Sequence, residues 1–351
     1  MRFISPRYNN FPDPVSDFEA AVFSFCREWN AGKAHFMFHS SGSTGKPKSI
    51  ELSREQMLCS AKITGDWLSL NPRDIALMAL PVEYIAGAMV LVRALELDLD
   101  VIVVDPCQNP LLHIGNHQVH LASFVPTQWA TILSSSVNLL AIFSNAKGIL
   151  LGGASLDPEL EKTSIALDLP IFHTYGMTET VSHVAFRNLR LGNEIFSRLP
   201  GVLIRLNERG CLCISGPMTG QAWVETQDMV QLVDANSFRF LGRADRVINS
   251  GGKKIFPDVV EKWVHEFGKE KGWKGDLMML GIPDQFYGQK AILFSTIDLD
   301  VDKKNQLIDY LKTKIPSEDC PKDIIFISRF ELLPNGKIDA LKTVALYLER
   351  P

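Results

Sequence analysis

Apolar and polar positions follow two rhythms along this chain. From residue 35 to about 180, short apolar runs alternate with stretches of helical period. Residues 35–40 (HFMFHS), 74–80 (DIALMAL), 100–105 (DVIVVD), 120–127 (HLASFVPT) and 147–153 (KGILLGG) are predicted strands. Ser53, with Gln56 three residues on, is a capping box that opens a helix. A second helix lies between the strands at 74–80 and 100–105, and Asp157-Pro158 starts another. Strand, helix, strand at this spacing predicts an α/β fold whose large N-terminal part is a mostly parallel, doubly wound sheet. Ligands of such sheets sit in loops beyond the C-terminal ends of the strands.

After Pro200 the rhythm changes. Residues 210–216 (GCLCISG) and 237–243 (SFRFLGR) are predicted antiparallel strands of a smaller β unit. From about residue 246 the chain resets into strand, helix, strand, strand, helix, strand. The helices are 257–267 (PDVVEKWVHEF) and 305–315 (NQLIDYLKTKI), and strands come from 275–282, 289–297 and 323–333. That is a compact α+β tail, predicted to be a separate domain.

Composition narrows the class. At 351 residues the chain is long enough for two or three domains, and 46% hydrophobic with 22% charged residues is a globular balance. A net charge of −4 gives no overall bias toward nucleic acid or an anionic membrane. The N-terminal MRFISPRYNN lacks the apolar core of a signal peptide, and no apolar run approaches the roughly 18 residues that span a bilayer. Six scattered cysteines with no CxxC pair predict reduced thiols and a cytoplasmic protein. Cys211 and Cys213 share one face of a strand and read as core thiols. His113, His117 and His120 have a metal-like spacing if helical, but no Glu follows the first, and a surface patch is the better reading.

The candidate chemistry lies in the loops. Ser40-Ser41-Gly42-Ser43-Thr44-Gly45-Lys46-Pro47-Lys48 brings two turning glycines, hydroxyl donors and two lysines together, as a polyphosphate requires. It is not a Walker loop, because Pro47 follows the Gly-Lys pair. Further on come Tyr175-Gly176-Met177-Thr178-Glu179, Leu241-Gly242-Arg243-Ala244-Asp245 with Ser250-Gly251-Gly252-Lys253, and Pro334-Asn335-Gly336-Lys337. In this order, across residues 36 to 340, the four motifs resemble the adenylate-forming superfamily of acyl-CoA synthetases, nonribosomal adenylation domains and luciferases.

The resemblance implies roles residue by residue. Ser40 to Lys48 matches the loop that closes over the ATP phosphates. Gly152-Gly153-Ala154 matches the strand-end segment against the adenine, and Tyr175, followed by Gly176, the aromatic stacked on it. Thr178 matches the hydroxyl near the α-phosphate and Glu179 the carboxylate that holds Mg²⁺, a hard cation suited to phosphate and carboxylate oxygens. Asp228 matches the ribose ligand, with Gln227 where the family has glycine. Arg243 matches the ribose- and phosphate-side arginine. Lys337 matches the lysine at the reacting carboxylate and α-phosphate. Asp245 matches the hinge, which implies an N-terminal domain at 1–242, a hinge at 243–246 and a small mobile domain at 247–351. Gly251 and Gly252 match the passage for the pantetheine arm of coenzyme A. Tyr84 stands where the family often has His, which removes a titratable base and keeps an aromatic wall. With only about 35 residues before the phosphate loop, most of the usual N-terminal subdomain is expected to be missing.

The implied reaction is adenylation of a carboxylic acid by MgATP, then transfer of the acyl group to coenzyme A. Arg93, in the apolar stretch GAMVLVRAL, narrows the acid, since a buried arginine needs an anion or carbonyl partner. The o-succinylbenzoyl-CoA synthetases of menaquinone biosynthesis have an arginine at the matching place, and their substrate keeps a free benzoate carboxylate. Other aryl- or fatty-acyl-CoA ligases and a carrier-protein adenylation enzyme are the alternatives. A homodimer is left open.

Overall fold

The structure is a computed structural model that describes residues 1–40, 48–332 and 338–349. The described chain divides into two compact units. The first holds Met1–Asn207, Cys213–Thr226 and Leu232–Arg239; the second holds Glu208–Leu212, Gln227–Gln231 and Phe240–Pro351.

The first unit opens with strand β1 (Arg2–Ile4) and helix α1 (Asp17–Asn30), whose N-cap Ser16 accepts from the Glu19 backbone. A hairpin follows, β2 (His35–Ser40) and β3 (Lys48–Ser53), antiparallel from His35 against Ser53 to Ser40 against Lys48. Ser53 then caps α2 (Arg54–Leu68) through the expected reciprocal bonds with Gln56. Next come β4 (Ile75–Met78), α3 (Ile85–Leu97), β5 (Asp100–Val103), β6 (Leu121–Phe124), α4 (Pro126–Leu133), the single turn α5 (Leu139–Ile142), β7 (Gly148–Leu151) and α6 (Pro158–Ile165). Asp157 caps α6 by accepting from Glu159 and Leu160, and Pro158 occupies a position where no N–H is needed. Then come β8 (Ile171–Gly176), β9 (His183–Asn188), β10 (Ile195–Arg198) and β11 (Leu203–Leu206), followed by β12 (Cys211–Ser215), β13 (Val224–Asp234) and β14 (Ser237–Arg243), each with residues in both units.

These strands form a sheet of order β1-β5-β4-β6-β7-β8-β9-β10-β14-β13-β12-β11. The run β5-β4-β6-β7-β8 is parallel. Pairing turns antiparallel at β8–β9 and stays so through β10 to β14. The small β unit read from the sequence is therefore an edge extension of the same sheet, because β9 and β10 bridge to it. The parallel strands are buried apolar runs, as sheets covered on both faces require. Leu77, Ile102, Phe124, Ile149, Leu151 and Ile171 pack with Trp129, whose indole N–H donates to Ser164 Oγ at 2.8 Å. Cys211 and Cys213 are both buried.

In the second unit, the short hairpin β15 (Ile248–Ser250) and β16 (Lys253–Ile255) precedes α7 (Pro257–Glu270), β17 (Leu277–Asp284), β18 (Gly288–Ser295), α8 (Val301–Lys312), β19 (Asp323–Phe326) and α9 (Ala340–Leu348). The sheet order is β16-β15-β18-β17, with β19 parallel to β18. Val260, Val264 and Phe267 of α7 and Leu307 and Leu311 of α8 cover one face. Leu280, Ile292 and Phe294 on the other face pack with Ile327, Phe330 and helix α9. Two details depart from the sequence reading. Among the described residues, the predicted strand at 323–333 stops at Phe326: Ile327 N–H still donates to Ser295 O, after which the backbone leaves the ladder and pairs at the isolated bridge of Leu332 to Ile338 and through Asp339 N–H to Glu331 O. Helix α9 was not expected; Asp339 caps it by accepting from Lys342 N–H.

Trp129 is fully buried. Trp129→Ala should therefore cost about 3–5 kcal/mol of stability, read as a lowered urea midpoint. An unchanged midpoint would show that the site collapses without loss.

Candidate active site

Strand β8 is where the parallel pairing ends, and its C-terminal end carries the Tyr175-Gly176 motif. A tight reversal follows. Thr178–Thr180 form a 3₁₀ turn, and Met177 N–H donates to Thr180 Oγ1 at 3.1 Å. Val181 has φ 66 and ψ −58, a strained setting for a β-branched residue. Two backbone bonds hold it there, Val181 N–H to Thr178 O at 2.9 Å and Ser182 N–H to Thr180 O at 2.8 Å. Gly176 is required by this reversal: a Cβ there would lie 2.2 Å from Ser182 O.

Several of the predicted residues lie on the segments around the reversal. Tyr175 is half-buried, with Phe238 and Phe196 edge-on at ring distances of 5.2 and 6.0 Å. Gly152, Gly153 and Ala154 follow β7, the strand beside β8. Thr178 and Glu179 are half-buried, and Glu179 has no ion-pair partner among the described residues. One unpaired, partly solvated carboxylate beside a threonine hydroxyl suits Mg²⁺, which keeps most of its shell for water and phosphate oxygens. Among the described residues no group of three or more His, Cys, Asp and Glu is arranged to hold a metal by itself. His113 ends a short 3₁₀ turn, His117 stacks on Phe3 at 5.8 Å, and His120 Nδ1 accepts from Ile75 N–H at 3.0 Å. Ser40 ends β2 and Lys48 begins β3. Ser41, Gly42, Ser43, Thr44 and Gly45 lie outside the described residues, as does Lys337.

Arg93 is 2% exposed, in the helix α3. Its Nη2 donates to Ser182 Oγ at 3.0 Å, and Ser182 Oγ is 2.9 Å from Ser60 Oγ. Its buried Nε has no partner, and no carboxylate pairs with it among the described residues. Burial alone pushes its pKa down to about 10, so it remains a cation at neutral pH. Beside it, His183 is held neutral: burial and the Arg93 charge push its pKa well below the usual value. Thr64 donates its hydroxyl to Ser60 O at 3.0 Å, so His183 Nε2 is the donor in its 3.2 Å bond to Thr64 Oγ1. Tyr84 precedes α3 and is 54% exposed. It stands nine residues before Arg93, about 13 Å along the helix axis, so α3 does not bring the two together.

The second unit holds the remaining predicted residues. Arg243 lies between two carboxylates, with Nη1 3.5 Å from Asp228 Oδ1 and Nη2 3.1 Å from Asp245 Oδ2. Asp228 and Gln227 lie inside the regular strand β13 rather than in a loop, and Gln227 O accepts from Ala244 N–H at 2.7 Å. Arg246 is clamped by Asp258 and Glu261, each at 2.6 Å. Gly251 and Gly252 make the turn between β15 and β16, where Gly251 N–H donates to Tyr287 O at 2.9 Å.

The sequence reading missed the polar shell Ser60, Thr64, Ser182 and His183. Ser182 and His183 lie just past the Thr178-Glu179 pair, yet their partners are on α2 and α3, more than a hundred and about ninety positions away in sequence.

A family model described as AMP-binding enzyme matches residues 24–223. A 2-succinylbenzoate–CoA ligase of Lactococcus lactis subsp. lactis (strain IL1403) is 29% identical over 327 residues, covering 87% of this chain and 70% of that protein. The crystal structure of an acyl-CoA synthetase (AMP-forming)/AMP-acid ligase II-like protein from Dyadobacter fermentans DSM 18053 is 35% identical, with a TM-score of 0.64 and 95% of each chain covered. The o-succinylbenzoate CoA synthetase of Bacillus subtilis, in complex with the acyl-adenylate intermediate OSB-AMP, is 22% identical with a TM-score of 0.71, covering 90% of this chain and 69% of that one; at this identity the likeness is one of fold. No helix among the described residues is long and apolar enough to cross a membrane.

Two buried neutral imidazoles make the fold acid-sensitive. His183 is pushed well below its usual pKa, and His173, on β8, is pushed down to about 4 by burial and by Arg187. Unfolded, each takes a proton near pH 6.5. Their contribution is therefore complete above about pH 6.5 and is lost as pH falls toward 4. Urea denaturation between pH 7 and pH 4.5 should show stability falling more steeply in the wild type than in His173→Gln. Parallel slopes would contradict the assignment.

Proposed function

The chain belongs to the AMP-binding enzyme family, and from that premise we propose that it is an ATP-dependent acid–CoA ligase acting in the cytoplasm, with o-succinylbenzoate as its acid. The single observation that carries the choice of acid is Arg93. A buried guanidinium with no counter-charge is costly. An acid that keeps a second carboxylate after the first is activated supplies the missing charge, and fatty acids do not. The Lactococcus and Bacillus relatives are named for o-succinylbenzoate.

The succinyl carboxylate attacks the α-phosphorus of ATP; the bond to pyrophosphate breaks and an acyl adenylate forms. Then the thiol of coenzyme A attacks the acyl carbon, loses its proton to solvent and expels AMP. In this reading Tyr175 and Gly152–Ala154 hold the base, Asp228 the ribose and Arg243 the ribose and phosphate side. Thr178 donates near the α-phosphate. Glu179 would hold Mg²⁺, which neutralises phosphate charge. The protein supplies position and charge rather than covalent chemistry. Residues 40–48 are assigned to the phosphates and Lys337 to the first step. After it, a turn about Asp245 replaces Lys337 with the Gly251–Gly252 loop.

The test is thioester formation from o-succinylbenzoate, ATP, Mg²⁺ and coenzyme A. Arg93→Leu should weaken o-succinylbenzoate by roughly 2–5 kcal/mol in kcat/KM while leaving KM for ATP near wild type. Equal use of o-succinylbenzoate by the folded variant would remove Arg93 from the site. Lys337→Ala should abolish adenylate formation and spare thioester formation from a pre-made adenylate. Loss of both steps together would reject the role given to Lys337.

A further inference from the structure

The loop from Gly152 to Asp157 joins β7 to α6 and has no regular backbone pairing of its own. Gly152 N–H donates to Phe124 O at 3.2 Å, and a chain of side-chain bonds from three elements holds the rest. His173 Nε2 lies 3.2 Å from Ala154 O. A carbonyl only accepts, so Nε2 carries the ring proton and Nδ1 is left as an acceptor. Arg187, on β9, meets Nδ1 with Nη2 at 3.4 Å. The same guanidinium grips Glu161 through two bonds, at 3.0 and 2.7 Å. Glu161 sits at the start of α6, just after the loop. The loop is thus tied at its first half through His173 and at its far end through Glu161.

This chain of bonds is buried: His173 is 9% and Arg187 5% exposed. His173 and Tyr175 are two residues apart on one strand and share a face. Phe196 packs against both, at 5.2 and 6.0 Å, and the Arg187 guanidinium lies 5.8 Å from the same ring. One rigid cluster therefore sets both the position of the Ala154 carbonyl and that of the Tyr175 ring.

We propose that His173, held by Arg187 and Glu161, is a positioning residue that sets the gap between the Gly152–Ala154 loop and Tyr175, and so the affinity for the nucleotide base. The proposal rests on the reading above that these two walls hold the adenine. His173 itself touches neither substrate nor reacting atoms. Protonation of Nδ1 would turn an acceptor toward Arg187 into a like charge, and the depressed basicity of the ring keeps it neutral at working pH.

The test compares wild type, His173→Leu and His173→Gln. Gln reaches the Nε2 position and donates to Ala154 O, and Leu does not. His173→Leu should raise KM for ATP and the Kd for AMP, measured by calorimetry, by about five- to thirtyfold, the ratio for loss of about 1–2 kcal/mol. KM for the acid and for coenzyme A should stay near wild type, and Gln should recover most of the loss. The proposal is overturned if Leu leaves ATP and AMP unaffected, if all three substrates weaken together, or if Gln is no better than Leu. If His173→Leu does not fold, Glu161→Gln decides: a smaller, ATP-specific rise supports the proposal and no rise overturns it. If the wild type neither binds AMP nor forms an adenylate, the functional reading falls and this proposal with it. If the wild type does both, a negative result counts against His173 alone.

Discussion

The reversal between β8 and β9 is the constraint from which the site follows. There the sheet changes from parallel to antiparallel, and Ser182 O comes so close to Gly176 that no side chain fits. A strained valine completes the turn. A backbone in that setting costs of order 1–3 kcal/mol and persists only where its surroundings enforce it. This short segment delivers Tyr175, Thr178 and Glu179 on its way out of the sheet, and Ser182 and His183 on its way back in. The proposed function would in this way tie nucleotide chemistry and acid recognition to one piece of backbone.

Charge is distributed unevenly about that segment. Glu179 is a carboxylate with no cation partner among the described residues, and Arg93 a cation with no carboxylate. In the function proposed above, Glu179 would hold the magnesium of ATP and Arg93 would pair with the second carboxylate of the acid. His183 stays neutral because burial, and then the Arg93 charge, hold its pKa well below the usual value.

Much of this was legible in the sequence. Apolar runs located β4 to β7 to within a few residues, since strands covered on both faces leave a continuous apolar signal. The motifs located the Tyr175 reversal, and Arg93 stood out as a charge in an apolar helix. What was not legible depends on contacts far apart in sequence. The joining of β14 to β10 is set by pairing, not local pattern. The run at 323–333 carries Ile324, Ile325, Phe326, Ile327 and Phe330, yet among its described residues only Asp323–Phe326 pair with a neighbouring strand. The Ser60, Thr64 and His183 shell and the His173–Arg187–Glu161 chain are ordinary polar residues until folding brings them together.

The central claim is that a buried, unpaired guanidinium selects an acid with a second carboxylate. The most direct measurement compares wild-type kcat/KM for o-succinylbenzoate and for 4-oxo-4-phenylbutanoate, the same acid without its ring carboxylate, at saturating ATP and coenzyme A. A preference of roughly thirtyfold or more for o-succinylbenzoate, about 2 kcal/mol, is the predicted result. Equal values for the two acids would contradict it.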